Sequence, residues 1–187
     1  MDRGMALFFN SLLAQFQIDP ASVRLLRHQD RRGRSPYELW RDSRSDFDLY
    51  QHSQSVSNRA KLLAPRWAAF VVPPSGETLF AGMYRCCYRG VNELENVWTH
   101  AQGSDPPGTC DIYDLELDER FSDLAGRLVI DWGGSERAWV QRADNQNKVI
   151  VALREPFKEL DFPGFLRFAE PLSKIGALPV SWIESLK

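Results

Sequence analysis

Residues 67–85 constrain the fold more than any other stretch, because they read as two strands joined by a short turn. Trp67 to Val72 and Thr78 to Arg85 have strand character, and Pro73 to Gly76 lies between them as the turn. Gly82, inside the second strand, indicates a bulge or a bend of the kind that small barrels use to turn a corner. The stretch therefore predicts an antiparallel hairpin near the middle of the chain.

Four further segments after the hairpin also read as strands, and helical patterns precede it. The later strands are Asp111 to Leu117, Arg127 to Asp131, Ala138 to Arg142 and Lys148 to Leu153. Strands in succession after helices predict an α+β fold rather than a doubly wound one. We expect a curved antiparallel sheet or a small β-barrel with N-terminal helices.

The chain of 187 residues, 43% of them hydrophobic, is long enough for one compact domain with a substantial core. Residues 1–62 are expected to form a helical, arginine-rich segment packed on the barrel. Residues 63–187 are expected to form the barrel-like region and a C-terminal helix. Within the first segment, Ser35, Pro36 and Glu38 predict a helix start, and the polar residues 51–61 predict a loop.

A basic segment, Val23 to Arg44, holds seven arginines against three acidic residues, a local net charge of +4 on a chain of net charge −2. The guanidinium fork suits bidentate contacts with phosphate and guanine. A second polar cluster follows at residues 58–61. The predicted phosphate contacts, expected on one electropositive face, are Arg24, Arg27, Arg31, Arg32, Arg34, Asn58, Arg59 and Lys61. The plainer interpretation is a solvated face with local salt bridges.

Aromatic side chains are the second sign of a nucleic-acid ligand, because their faces stack on bases and hold flipped ones. The chain has six tryptophans. The candidates for gripping a base are Trp67, Tyr84, Trp98 and Trp132. For any single tryptophan the commoner role is to fill a core.

Patterns that carry enzyme or membrane chemistry are sparse. The three histidines and three cysteines lack the spacing of a metal site, and no nucleophile elbow or phosphate-binding loop is found. We expect no metal, no cofactor and reduced thiols in a cytoplasmic protein. No apolar run approaches the ~20 residues that cross a bilayer. The acidic run from Asp111 to Asp123 is interpreted as a solvated strand edge and turn, with a magnesium-dependent nuclease as the alternative.

Several short strings together resemble the N-terminal region of bacterial proteins that carry a GIY-YIG nuclease domain after it. They are LLRHQD (25–30), PYELWR (36–41), SNRAKL (57–62), ETLFAGMYR (77–85), GRLVIDWG (126–133) and PGFLRFAEPLSKIGALPVSW (163–182). The catalytic motif of that family does not occur in this chain. The resemblance implies the targeting part of a longer nuclease. The strand Leu79 to Tyr84 also resembles a barrel strand of PUA-like domains of the EVE, ASCH and SRA type, several of which recognise modified bases. This second resemblance implies that the expected barrel is a small PUA-like β-barrel with N-terminal helices.

Residues and resemblance together predict a non-catalytic DNA-recognition domain. Its expected partners are double-stranded DNA, modified or foreign, and a linked GIY-YIG nuclease domain, with no membrane. One alternative is a protein-interaction or dimerisation domain whose arginines pair with the acidic run. Another is a metal-dependent hydrolase that uses Asp111, Asp114 and Glu116.

Overall fold

A computed structural model of the chain describes residues 8–30, 35–93, 109–133, 139–145 and 148–154. The helices are α1 (Phe9–Gln15), α2 (Pro36–Asp42), α3 (Arg44–His52) and α4 (Arg59–Leu62). The strands are β1 (Val23–His28), β2 (Ser53–Gln54), β3 (Arg66–Val71), β4 (Thr78–Glu93), β5 (Thr109–Leu117), β6 (Leu128–Asp131), β7 (Val140–Arg142) and β8 (Val149–Leu153).

All eight described strands belong to one strongly curled sheet that forms a half-barrel. Its main path runs β2-β5-β4-β3-β1-β7, and β6 joins the start of β4 and carries β8. The predicted α+β class with a curved sheet is confirmed. The sheet is mixed, however, because β1 pairs with β3 in parallel, whereas the other pairings are antiparallel. A parallel pair needs a long crossover, and α2, α3 and α4 provide it.

The long strand β4 connects the parts of the sheet, and two glycines bend it. It pairs with β6 at its start, with β3 along its first half and with β5 along its second half. The register with β3 shifts beside Gly82, which confirms the predicted bulge. A Cβ at Gly82 would lie 2.5 Å from Nη2 of Arg44, so only glycine lets that guanidinium approach. The register with β5 shifts before Gly90, whose φ of +128° favours glycine.

Apolar side chains cover both faces of the central part of the sheet. The helix α1 buries Phe9, Leu12 and Leu13 on one face, against residues such as Leu25 of β1. The other face packs against α2 and α3, which bury residues including Phe47. Strands that are covered on both sides have little room for exposed side chains, and this decides the position of most of the aromatic residues.

The helix starts follow the capping signals in the sequence. The hydroxyl of Ser35 accepts a hydrogen bond from the backbone N–H of Glu38 at 3.3 Å, so α2 begins as predicted. The predicted loop over residues 51–61 is wrong. That segment contains the end of α3, then β2, a short 3-10 turn and α4. Tertiary contacts hold α4 in place, as the pairing of Arg59 with Asp111 shows.

The N-terminal segment does more than pack on the sheet, because it supplies β1 between β3 and β7 and β2 beside β5. The predicted C-terminal helix lies outside the described residues. No helix in the described ranges is both long and apolar enough to cross a membrane.

Candidate nucleic-acid interface

The two described arginines of β1 lie on opposite faces of the sheet. Successive side chains of a strand alternate between faces, so Arg24 and Arg27, three residues apart, diverge. Leu25 belongs to the core cluster that α1 covers, whereas Leu26 belongs to a different one. Arg27 points to the α1 side, where its guanidinium carbon lies 5.9 Å from the ring of Trp132. The expectation of a single electropositive face is therefore wrong for this pair.

The guanidinium of Arg24 is held by backbone carbonyl groups. Its Nε donates to the carbonyl of Lys61 at 3.2 Å, and its Nη2 donates to that of Leu63 at 3.1 Å. A longer bond of 3.4 Å joins Nη1 to the carbonyl of Ala21. Among the described residues no carboxylate forms an ion pair with Arg24. The chain thus orients this side chain through carbonyl groups rather than through an ion pair.

A second arginine lies directly across from Arg24. In the antiparallel pair of β1 and β7, Arg24 is opposite Arg142. Burial, and then the charge of Arg142, lower the pKa of Arg24. Arg142 is itself exposed and makes a bidentate contact with Asp144, at 3.0 Å from Nε and 2.6 Å from Nη2. The sequence did not single out Arg142, because its pairing with β1 spans more than a hundred residues.

Lys61 completes the group of cations at this end of the sheet. Its side chain is exposed in the last turn of α4, a helix that packs against β7, and its own carbonyl accepts from Arg24. We call Arg24, Lys61 and Arg142 the Arg24 cluster. Two members, Arg24 and Lys61, were predicted from separate parts of the sequence. Asn58, half-buried just before α4, makes no side-chain capping bond.

Arg59, the other predicted contact of this region, has a different role. Its Nε and Nη2 donate to the two carboxylate oxygens of Asp111 at 2.9 and 2.6 Å. The side chain of Asp111 is 0% exposed, and the Arg59 guanidinium also lies 5.1 Å from the ring centre of Tyr88. The bond to Asp111 raises the pKa of Arg59. Arg59 thus serves as the counter-ion of a buried carboxylate, and its assignment as a phosphate contact stays a prediction.

Trp132 is a core residue at the opposite end of β1. Its ring is 5% exposed and packs on Phe70, with the ring centres 5.8 Å apart. The Nζ of Lys148 lies 4.7 Å from the ring centre and donates to the Trp132 carbonyl. Burial lowers the pKa of that lysine. Arg27, on the same ring, donates through Nε to the hydroxyl of Thr78 at 2.9 Å. Two cations therefore lie where a stacked base was expected.

Trp67 and Tyr84 are also enclosed. Both are 0% exposed. The indole N–H of Trp67 donates to the carbonyl of Leu62 at 2.9 Å, and the hydroxyl of Tyr84 donates to Asp48 at 2.7 Å. Burial raises the pKa of the Tyr84 hydroxyl and also that of the Asp48 carboxyl. The expectation that Trp67, Tyr84 and Trp132 present a face to a base is corrected, because all three side chains are packed in the hydrophobic core clusters.

Four of the predicted contacts fall on residues that the structure does not describe. They are Arg31, Arg32, Arg34 and Trp98. The first three follow Asp30 directly in the sequence, beyond the end of β1. Their assignments stay predictions.

The acidic run pairs with arginines of the same chain. The ion pairs join Asp111 to Arg59, Asp114 to Arg89, Glu116 to Arg85, and Asp118 to both Arg66 and Arg120. Asp114 and Glu116 are exposed, whereas Asp111 is buried on the other face of β5. The three carboxylates proposed for a hydrolase therefore do not converge. Within the described residues, no group of three or more histidine, cysteine or acidic side chains could hold a metal ion.

Comparison with protein-family models, with the curated proteins and with the solved structures gave no significant match to this chain.

Proposed function

We propose that this chain is a non-catalytic DNA-recognition domain that contacts the phosphate backbone through the Arg24 cluster. One observation supports this above the others: Arg24 lies directly opposite Arg142, and no described carboxylate forms an ion pair with Arg24. Like charges at directly opposed strand positions destabilise a sheet. An anion bound between them would remove that cost.

The chemistry of the Arg24 cluster suits a phosphate. Guanidinium groups donate two parallel hydrogen bonds to a phosphate, and such charge-assisted bonds are short and strong. The three carbonyl contacts of Arg24 restrict its side chain before a ligand arrives. The net charge of −2 fits binding that is confined to one small surface.

The proposed contact is with the backbone of the duplex rather than with its bases. The rings of Trp67, Tyr84 and Trp132 are buried, so they give no support to base stacking. Preference for modified or foreign DNA stays a prediction that rests on the resemblance to PUA-like domains. The linked GIY-YIG nuclease is proposed on the resemblance alone, and it would supply the cleavage. A cytoplasmic location, in which the three free cysteines stay reduced, belongs to the same proposal.

Titration of a fluorescent duplex at several salt concentrations tests the proposal. Each phosphate contact contributes about 0.9 to the slope of log affinity against log salt. Lys61→Ala and Arg142→Ala should each weaken binding and reduce that slope by about one. Arg89→Ala is the matched control, because Arg89 is an exposed arginine that pairs with Asp114 away from the Arg24 cluster. Equal affinities and slopes for all four proteins would refute the Arg24 cluster as a DNA contact.

A further inference from the structure

The acidic residue beside the Arg24 cluster is placed as an internal substitute for a ligand. Asp144 follows Arg142 by two residues and offers both carboxylate oxygens to its guanidinium. A phosphate would present two oxygens to the same donors. The contact with Arg142 lowers the pKa of Asp144, so the carboxylate is ionised at neutral pH.

Asp144 also acts on Arg24. Its charge raises the pKa of Arg24, which opposes the effect of Arg142. A single carboxylate thus offsets the repulsion between two arginines that face each other across β1 and β7. Its removal would leave the Arg24 cluster more positive by one charge.

The contact between Asp144 and Arg142 is weak enough to be exchanged. The side chain of Arg142 is 51% exposed and that of Asp144 is 27% exposed. Exposed ion pairs of this kind shift an equilibrium by about five-fold at most. A DNA phosphate, held by two arginines together, would compete successfully for the guanidinium of Arg142.

From this geometry we infer that Asp144 is an internal counter-ion that a DNA phosphate displaces from Arg142, and that it lowers the affinity of the Arg24 cluster for DNA. This inference rests on the proposed function. Asp144 would limit how tightly the domain binds any duplex, so that a linked domain could dissociate from the DNA after it has acted.

Asp144→Asn tests the inference, because the amide keeps the size of the side chain and removes its charge. At low salt the variant should bind duplex DNA about two- to five-fold more tightly than the unmodified chain. The control Asp114→Asn, a substitution on β5 that releases Arg89 of β4, should leave the affinity unchanged. When Arg142→Gln is already present, adding Asp144→Asn should increase the duplex affinity by less than half as much as it does in the unmodified chain. Unchanged or weaker binding by Asp144→Asn would overturn the inference.

A second measurement separates this inference from the proposed function. Inorganic pyrophosphate at constant ionic strength should raise the melting temperature of Asp144→Asn more than that of the unmodified chain. If neither protein binds DNA but this difference is found, the DNA proposal fails and the role of Asp144 as counter-ion stands. If pyrophosphate stabilises both proteins equally, the role of Asp144 is refuted even where DNA binds.

Discussion

Two arginine–aspartate pairs in this protein have the same bidentate chemistry and opposite surroundings. Arg59 holds Asp111, a residue of β5 whose carboxylate is fully buried. Arg142 holds Asp144 at the surface, beside the edge strand β7. A buried carboxylate cannot lose its partner without a large cost, whereas an exposed one exchanges its partner with solvent or ligand. Burial, rather than the residue types, separates an arginine that neutralises a structural carboxylate from one whose partner can be exchanged.

The largest effect on stability is expected for Trp67, which lies near the buried pair. Its ring packs on that of Tyr113, with the ring centres 4.7 Å apart, and the charge of Asp111 contributes to the raised pKa of Tyr113. Trp67→Ala should lower the free energy of unfolding by about 3–5 kcal/mol, because it leaves a cavity. Denaturant unfolding measures this, and DNA titration of the folded fraction should show no selective loss. A selective loss of binding to modified duplex, with stability intact, would restore Trp67 as a base contact.

The next effect tests the buried pair itself. Arg59→Ala leaves the Asp111 carboxylate buried without its guanidinium, so the melting temperature should fall by roughly 8 °C. The double variant Arg59→Ala/Asp111→Ala should recover part of that loss, because no unpaired charge remains. Thermal melting of both variants measures the difference. A fall of less than 2 °C for Arg59→Ala would show that the two pairs do not differ as their burial implies.

A third ion pair, between Arg120 and Asp118, is expected to have an effect of intermediate size on stability, and this effect should depend on pH. Arg120 lowers the pKa of Asp118, whose side chain is 4% exposed. A carboxyl with a folded-state pKa below its unfolded value adds stability above about pH 4, and this is lost as the pH falls through the folded value. Asp118→Asn should therefore flatten the decline of melting temperature between about pH 5 and pH 2. Asp114→Asn is the control, and an equal flattening by both would contradict the assignment.

The smallest effect is expected at the exposed pair. Arg142→Ala removes one surface contact and one repulsion with Arg24, so the melting temperature should change by no more than about 2 °C. The melting temperature of Arg59→Ala, measured under the same conditions, is the reference for comparison. A fall at Arg142 as large as that at Arg59 would mean that β7 depends on this arginine for its place in the sheet, and the comparison of the two pairs would fail.

Local signals in the sequence predicted the local structure well. The hairpin of β3 and β4, the bulge near Gly82 and the cap at Ser35 depend on neighbouring residues, and all three are present. The short helix α4 was missed, because its sequence has no cap of its own and Arg59 anchors it to a distant strand. The sequence around α4 gives no sign of that partner, Asp111, which lies far along the chain.

The candidate site could be predicted only in part. Arg24 and Lys61 were singled out as cations, but the sequence did not show that β7 would bring Arg142 opposite Arg24. The aromatic candidates were misplaced for a related reason. A strand pattern does not reveal whether one face or both will be covered, and here α1 covers one face while α2, α3 and α4 cover parts of the other. Trp67, Tyr84 and Trp132 are buried as a result.

The place of β1 between β3 and β7 has a consequence for the order of folding. The β3–β4 hairpin closes a short loop, whereas β1 pairs with a strand beyond the three-helix crossover, and β7 then pairs only with β1 among the described strands. Contacts distant in sequence form more slowly, since the entropy of closing the loop must be lost before the contact is gained. We expect the hairpin to nucleate, β1 to insert next and β7 to dock last. Arg24 then meets Arg142 at the final step, so the phosphate contact that we propose would form only in the fully folded chain.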